Sequence, residues 1–272
     1  MNREQEALEA LRESIYAALD RRDYPAARQA IDRLRPGHEA EALGLLASLA
    51  IESGDAAEAE NTVTALEKIA PQDVYTRFLA ARVAFLRGET VATAWDLAVL
   101  VKRKDIPAVY QEKIYNLLGQ CCRFLGRNEE STAAYLAASQ AAGEPRLAAL
   151  EYSDYLFNTH YLPPPAAAER RERAKRYDDF FRDTPRFFHR WRQAGKKLRI
   201  GYISPDFRHH VVLRFCRALL TAYDRENFEV YAYMNAPEDE ESRALARGVD
   251  GWCNIFGWGA AEAARRIYED GV

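Results

Sequence analysis

Long apolar runs are missing from this 272-residue chain. No stretch approaches the roughly 20 residues that a membrane-spanning helix needs. The polar opening MNREQEALEA lacks the basic-then-apolar layout of a secretory leader. These two absences lead to a cytoplasmic location. Cysteine is scarce: Cys121, Cys122, Cys216 and Cys253 are scattered without CxxC spacing. The neighbours Cys121 and Cys122 would point apart on a helix, so neither a disulfide framework nor a zinc site is expected, and no metal is assigned. Small buried hydrophobes with one or two exposed thiols are the ordinary alternative. Charge of one sign is also lacking, since 38 basic residues meet 41 acidic ones for a net charge of −3. That balance gives no global reason to expect nucleic acid or an anionic membrane as partner. The glycine-rich GxGxxG phosphate loop is absent, which removes a dinucleotide-binding reading.

What is present divides the chain, as its length allows. Residues 1–160 read as helix after helix, in Ala-rich amphipathic segments separated by the turns RRDYP, SGDAA, RGETV and LGRNEE. Gly54 and Gly88 stand 34 residues apart, Asp23 and Asp55 stand 32 apart, and Gly88 and Gly126 stand 38 apart. These intervals bracket the 34-residue tetratricopeptide (TPR) period. The stretch YNLLGQCCRFLGRNEESTAAYLAAS resembles that repeat, with Tyr115 at the Trp position, Leu118-Gly119 at Leu-Gly, Gly126 at the turn, and Tyr135 and Ala138 on the second helix. A second copy runs through Leu43, Leu46-Ala47, Gly54, Ala59 and Pro71, and weaker copies are carried by Ala27 and Ala81. Small residues let paired helices approach and large ones fill the space between repeats, so a TPR-like α-solenoid is expected.

Residues 161–195 are expected to be linker helices, opened by Pro163-Pro164-Pro165, which would end the solenoid and start a new helix. Tyr177, Phe180 and Phe181 would share a buried face. Glu169 to Lys197 holds 11 Lys/Arg and 5 Asp/Glu, a local excess of 6 positive charges. Such a stretch is more often a solvated face paired with carboxylates than a nucleic-acid site.

Residues 196–272 change period again. LRIGYIS and FEVYAYM are short and rich in β-branched and aromatic residues, and the amphipathic VVLRFCRALLTAYDREN lies between them. This predicts a β-α-β unit followed by the helix AAEAARRIYEDG. A sheet with only two predicted strands has exposed edges and an incomplete face, so the second domain is expected to be unfinished. The fold class is therefore mainly α: a TPR-like α-solenoid followed by a partial Rossmann-like α/β domain.

In α/β sheets, ligands collect beyond the carboxyl ends of the strands, and Ser204 to His210 occupies that place after the first strand. The helix beginning near Val211 would direct its free N–H groups at the same volume, a suitable location for an anionic group. A histidine there can exchange protons near neutral pH. On pattern alone, His209 and His210 are more readily surface or capping residues than catalytic ones. Asp206 would hold the turn through backbone N–H groups.

The segments LRIGYISPDFRHHVVLRF, DRENFEVYAYMN and AARRIYEDGV, in that order, resemble the start of the catalytic region of the SPINDLY and O-linked N-acetylglucosamine transferase family. YLFNTHYLPPPAAAERRERAKRYDDFF is similar to the segment that joins TPR repeats to that region. The resemblance implies a nucleotide-sugar-dependent protein O-glycosyltransferase with a two-lobed Rossmann-like fold, inverting and without a required metal. It implies no bound cofactor, with a nucleotide sugar, UDP-linked by expectation, as co-substrate. His210 takes the position of the family's active-site histidine in its DFxxHP context, as base or binding residue, and Val211 replaces the usual proline. That replacement is expected to loosen the helix start. His209 falls at a variable position. The family's nucleotide contacts lie mostly in a second lobe, so this chain is expected to hold at most half of a donor site and to be inactive alone. The partner implied is a protein acceptor on the TPR surface. In some members an asparagine ladder clamps that peptide; the corresponding positions here are Leu45, Leu79 and Leu117, which gives such a clamp no support. The alternative is a non-catalytic TPR adaptor mediating protein–protein interaction. A third reading, an RNA-binding helical repeat using Arg170 to Arg192, requires salt-sensitive nucleic-acid binding.

Overall fold

The computed structural model describes residues 3–165, 167–188 and 197–272. The chain divides into two compact units, Met1–Arg182 and Asp183–Val272. Residues 189–195 of the expected linker, with its boundary at residue 195, lie outside the described residues.

In the first unit the helices come in pairs: α1 (Arg3–Asp20) with α2 (Tyr24–Leu34), α3 (Glu39–Ser53) with α4 (Ala56–Ile69), α5 (Val74–Leu86) with α6 (Thr90–Leu100), and α7 (Ala108–Phe124) with α8 (Asn128–Ala141). A further helix, α9 (Pro145–Asn158), packs on α8. Each pair turns on a residue in the left-handed region: Arg22 (φ 57°), Gly54 (81°), Gly88 (81°) and Gly126 (71°). This conformation costs a side chain about 1–2 kcal/mol, which explains glycine at three of the four turns. In the first two turns the next residue caps the following helix: Asp23 accepts from the Ala26 amide and Asp55 from the Glu58 amide.

Small residues sit where helices meet. Ala27, Ala47, Ala59 and Ala138 are fully buried, and a Cβ on Gly119 would lie 3.1 Å from the Tyr135 ring. Leu45, Leu79 and Leu117 are core residues, exposed by 7 % or less, so they offer nothing to a peptide. Cys121 and Cys122 are both buried, and Cys216 and Cys253 are half-buried. No described thiol is therefore exposed, which corrects the expectation of one or two. Burial pushes the Cys121 thiol up to about 12.

After a 3-10 turn at Thr159–Tyr161 come α10 (Ala167–Lys175) and a second 3-10 segment, Arg176–Phe181. Tyr177 and Phe180 pack against Tyr135, Tyr152 and Tyr155. Phe181 is 40 % exposed, so the expected buried face takes two of its three aromatics. Two of the four basic residues of α10 form short-range ion pairs, Arg173 with Glu169 and Lys175 with Glu172, and Arg170 and Arg171 are exposed. That is a solvated face, as the charge pattern suggested.

The second unit is a parallel sheet in the order β1 (Leu198–Ser204), β2 (Phe228–Met234), β3 (Gly251–Asn254). Between the strands lie α11 (Val211–Thr221) and α12 (Glu240–Ala246), and α13 (Ala260–Glu269) follows. The sheet thus has three strands where two were expected. The extra pair, α12 and β3, spans seven and four residues, too short for periodicity to register. Polar groups set its register instead: Asp250 accepts from the Val230 amide at 2.7 Å through its side chain and donates its own amide to the Val230 carbonyl at 2.9 Å. Gly251 lies flat under Tyr231, where a Cβ would approach the ring to 2.3 Å. The core, Leu213, Leu220, Val230, Ala232, Met234 and Leu245, fills the space between the sheet, α11 and α12. On the other face the Tyr233 hydroxyl donates to Asp270 at 2.8 Å, tying β2 to the end of α13. Among the described residues no helix is long and apolar enough to cross a membrane.

Candidate functional site

The loop from Pro205 to His210 leaves the carboxyl end of β1 and enters α11. Its shape follows from four short contacts. The Asp206 amide donates to Ser204 Oγ at 3.0 Å, closing the turn that the Ser-Pro-Asp sequence begins. Phe207 is 3 % exposed and anchors the loop in the core, with its ring centroid 6.4 Å from that of Trp252. The His209 amide donates to Asp239 Oδ2 at 2.7 Å. His210 is the N-cap of α11: its backbone is extended (φ −148°, ψ 152°) and its Nδ1 accepts from the Val212 amide at 3.2 Å.

Asp239 was not legible as a site residue. One carboxylate oxygen holds the His209 amide and the other caps α12 through the Ser242 amide at 2.9 Å. The Ser242 hydroxyl returns a contact by accepting from the Asp239 amide, which completes a capping box. The amides of His209 and then of Ser242 hold the Asp239 carboxyl below its usual range. The available signal was the D-x-x-S spacing in PEDEES, which marks a helix start but carries no hint that the same acid reaches back 30 residues.

A cleft of about 480 Å³ opens between α11 and α12. Arg208, His209 and His210 stand on its loop side, and Leu213, Arg214 and Arg217 line it from α11. Arg217 pairs with Glu241 across it. Among the described residues neither Arg208 nor Arg214 has a carboxylate partner. Asp206 Oδ1 lies 3.6 Å from His210 Nδ1, and the histidine is 39 % exposed. The expected residue His210 is therefore in the turn after β1 and faces a cleft rich in hydrogen-bond donors. His209 is exposed and takes part through its backbone amide alone. The expected loosening at Val211 is not found: α11 starts there, because the cap is supplied by His210 and the Val211 N–H belongs to the first helical turn, which has no intrahelical acceptor in any helix. Among the described residues no three His, Cys, Asp or Glu side chains gather as metal ligands.

A strand, a capped helix start and a histidine at a donor-rich cleft make a parallel α/β site of the kind in which ligands collect beyond the carboxyl ends of the strands, without the glycine-rich loop of a dinucleotide site. Residues 178–272 match the family described as glycosyl transferase family 41, so the family likeness read from the sequence holds for that segment. A rice (Oryza sativa subsp. japonica) protein described as a probable UDP-N-acetylglucosamine–peptide N-acetylglucosaminyltransferase SPINDLY is 29% identical over 145 residues, covering 49% of this chain and 14% of that protein. Among solved structures, an O-GlcNAc transferase mutant from Thermobaculum terrenum is similar over 100% of this chain and 46% of its own, with 21% identity and a TM-score of 0.47. MamA from Desulfovibrio magneticus RS-1 is similar over 65% of this chain and 96% of its own, with 15% identity and a TM-score of 0.46. The chain thus spans less than half the length of the two transferases it matches.

Proposed function

We propose that this chain supplies the TPR-like array and the first part of the catalytic region of a nucleotide-sugar-dependent protein O-glycosyltransferase. The observation that supports this reading best is the family match over residues 178–272, within which His210 sits in the turn after β1. The donor is a nucleotide sugar, UDP-linked by family likeness, and the acceptor is a protein presented by the helical array. The described residues contain one three-stranded sheet, and by family likeness the donor is held jointly with a second lobe. In this scheme the α11 start and His210 contribute hydrogen bonds to the reacting end of the donor. Arg208 and Arg214 keep the cleft electropositive for its phosphates.

The test joins residues 1–272 to a donor-binding lobe of the same family and measures sugar transfer to protein together with calorimetric binding of uridine diphosphate. Turnover that falls about 10²-fold or more in His210→Ala supports the reading. Normal turnover in that variant removes the role of His210. Failure of the joined protein to bind uridine or guanosine diphosphate removes the transferase reading and leaves the adaptor.

A further inference from the structure

We propose that His210 stands in the site as the Nε2–H tautomer, with Nδ1 committed to capping α11, so that it serves a ligand as a hydrogen-bond donor and not as the proton-abstracting base. The assignment of tautomer concerns this chain alone; the functional half rests on the transferase reading above.

A neutral imidazole has one donor nitrogen and one acceptor nitrogen. An N–H must donate to a lone pair, and the Val212 amide points at Nδ1 from 3.2 Å. Nδ1 is therefore the acceptor, and the ring proton is on Nε2. The competing arrangement would place the proton on Nδ1 and direct it to Asp206, leaving Nε2 free as a base, which is the logic of an Asp-His pair. The distances decide between them. Val212 N is within hydrogen-bond range of Nδ1, whereas Asp206 Oδ1 is at 3.6 Å, outside the usual 2.7–3.2 Å range.

Asp206 is itself held in the turn by its amide's bond to Ser204 Oγ. The extended His210 backbone is also what a capping residue requires, so the helix and the loop agree on one ring orientation. Moving the proton to Nδ1 would strip α11 of its cap. By the ordinary worth of a cap this disfavours the base-competent tautomer by roughly fivefold.

The consequence for chemistry follows from the lining of the cleft. Nε2–H joins the guanidiniums of Arg208 and Arg214, and Arg217 occupies Glu241, the acid that lines the cleft. The two arginines that share this cleft with His210 and have no carboxylate partner among the described residues, Arg208 and Arg214, can only donate, so the set suits phosphate or sugar oxygens. A proton leaving an acceptor hydroxyl has no free lone pair on His210 to receive it.

Two-bond 1H–15N spectra of the 15N-labelled chain, recorded on the neutral ring without ligand, test the tautomer; His210→Gln identifies the His210 signals. A pyrrole-like Nε2 and a pyridine-like Nδ1 are expected, unchanged in Asp206→Asn. A majority of the Nδ1–H form, an equal mixture, or reversal in Asp206→Asn overturns the proposal. The donor role is read in the joined protein. His210→Gln, which keeps an N–H donor and has no basic nitrogen, is expected to recover turnover lost in His210→Ala. Equal loss in both variants with normal nucleotide binding overturns the donor role. An inactive unsubstituted joined protein would count against the transferase reading and leave the tautomer result standing.

Discussion

Replacing Glu151 by glutamine should make the helical array more stable above pH 7 and leave it unchanged in mild acid. Glu151 on α9 is 2 % exposed, and Glu112 on α7 is 8 % exposed beside it. The Asn116 amide donates to both Glu151 carboxylate oxygens at 2.8 Å, and Gln120 in turn donates to Asn116. Burial pushes the Glu151 carboxyl up from 4.5 to about 7, helped by the neighbouring Glu112 and Asp154 and opposed by Asn116. Burial likewise raises Glu112, against the nearby Lys113, and raises Asp154, against Arg123. Two carboxyls this dry share one proton more readily than they hold two charges.

The unfolded chain gives up the Glu151 proton near 4.5, whereas the folded chain keeps it to about 7. Between those values the folded state binds more protons, so its stability falls as pH rises. The contribution is fully present below 4.5 and is lost above 7. The interval corresponds to about 3 kcal/mol. Gln mimics the protonated acid: its oxygen can accept from Asn116 and its NH₂ can donate to an ionised Glu112. Urea denaturation followed by far-UV circular dichroism should give equal midpoints for the two chains in acid, and an advantage of about 2–3 kcal/mol for Glu151→Gln above pH 7. A difference between the two chains that does not change with pH would refute the argument.

Three shorter predictions follow from backbone and capping. Gly119→Ala should cost about 1–3 kcal/mol, because the new methyl meets the Tyr135 ring at 3.1 Å. Gly54→Ala should cost about 1–2 kcal/mol from its φ of 81° alone, with open space around the Cβ, whereas Arg22→Gly at the equivalent turn should leave the melting midpoint unchanged or higher. Asp239→Ala should speed hydrogen exchange at the His209 and Ser242 amides together, since one carboxylate holds both; protection lost at only one of them would separate the loop from the α12 cap.

The solenoid was legible because its signals repeat. Gly54, Gly88 and Gly126 each mark a turn by the same left-handed requirement, and Ala27, Ala59 and Ala138 each mark a close approach, so four weak copies reinforce one another. Arg22 shows the limit, since it adopts that backbone without being glycine and its turn is visible only by its spacing from the others. The sheet was legible where strands are long and buried, as in FEVYAYM, and not where a four-residue strand is held by Asp250. In the candidate site, position was legible and chemistry was not. His210 could be placed after a strand and before a helix, but which of its nitrogens is free depends on a 3.2 Å contact to Val212 that no sequence pattern specifies. The acid pair Glu112 and Glu151 was equally hidden, because residues 39 positions apart on different helices meet only once the array stacks.

Val211 is where sequence and structure argue most directly. Read as a departure from proline, it suggests a helix start without its usual brace. Three features show that the brace is optional. Proline prefers the first helical position, and Val211 holds it. A residue before proline must be extended, and His210 already is, at φ −148° and ψ 152°. The Val211 side chain is 55 % exposed, so a pyrrolidine ring would displace no core atom. Val211→Pro should therefore keep the Val212-to-His210 cap and raise stability by about 0.4–1 kcal/mol, by restricting the unfolded chain. Denaturation midpoints and the Val212 amide resonance measure the two halves of that statement. A lower midpoint, or a Val212 amide that loses its protection, would mean that the loop before α11 needs a freedom that its observed backbone does not use.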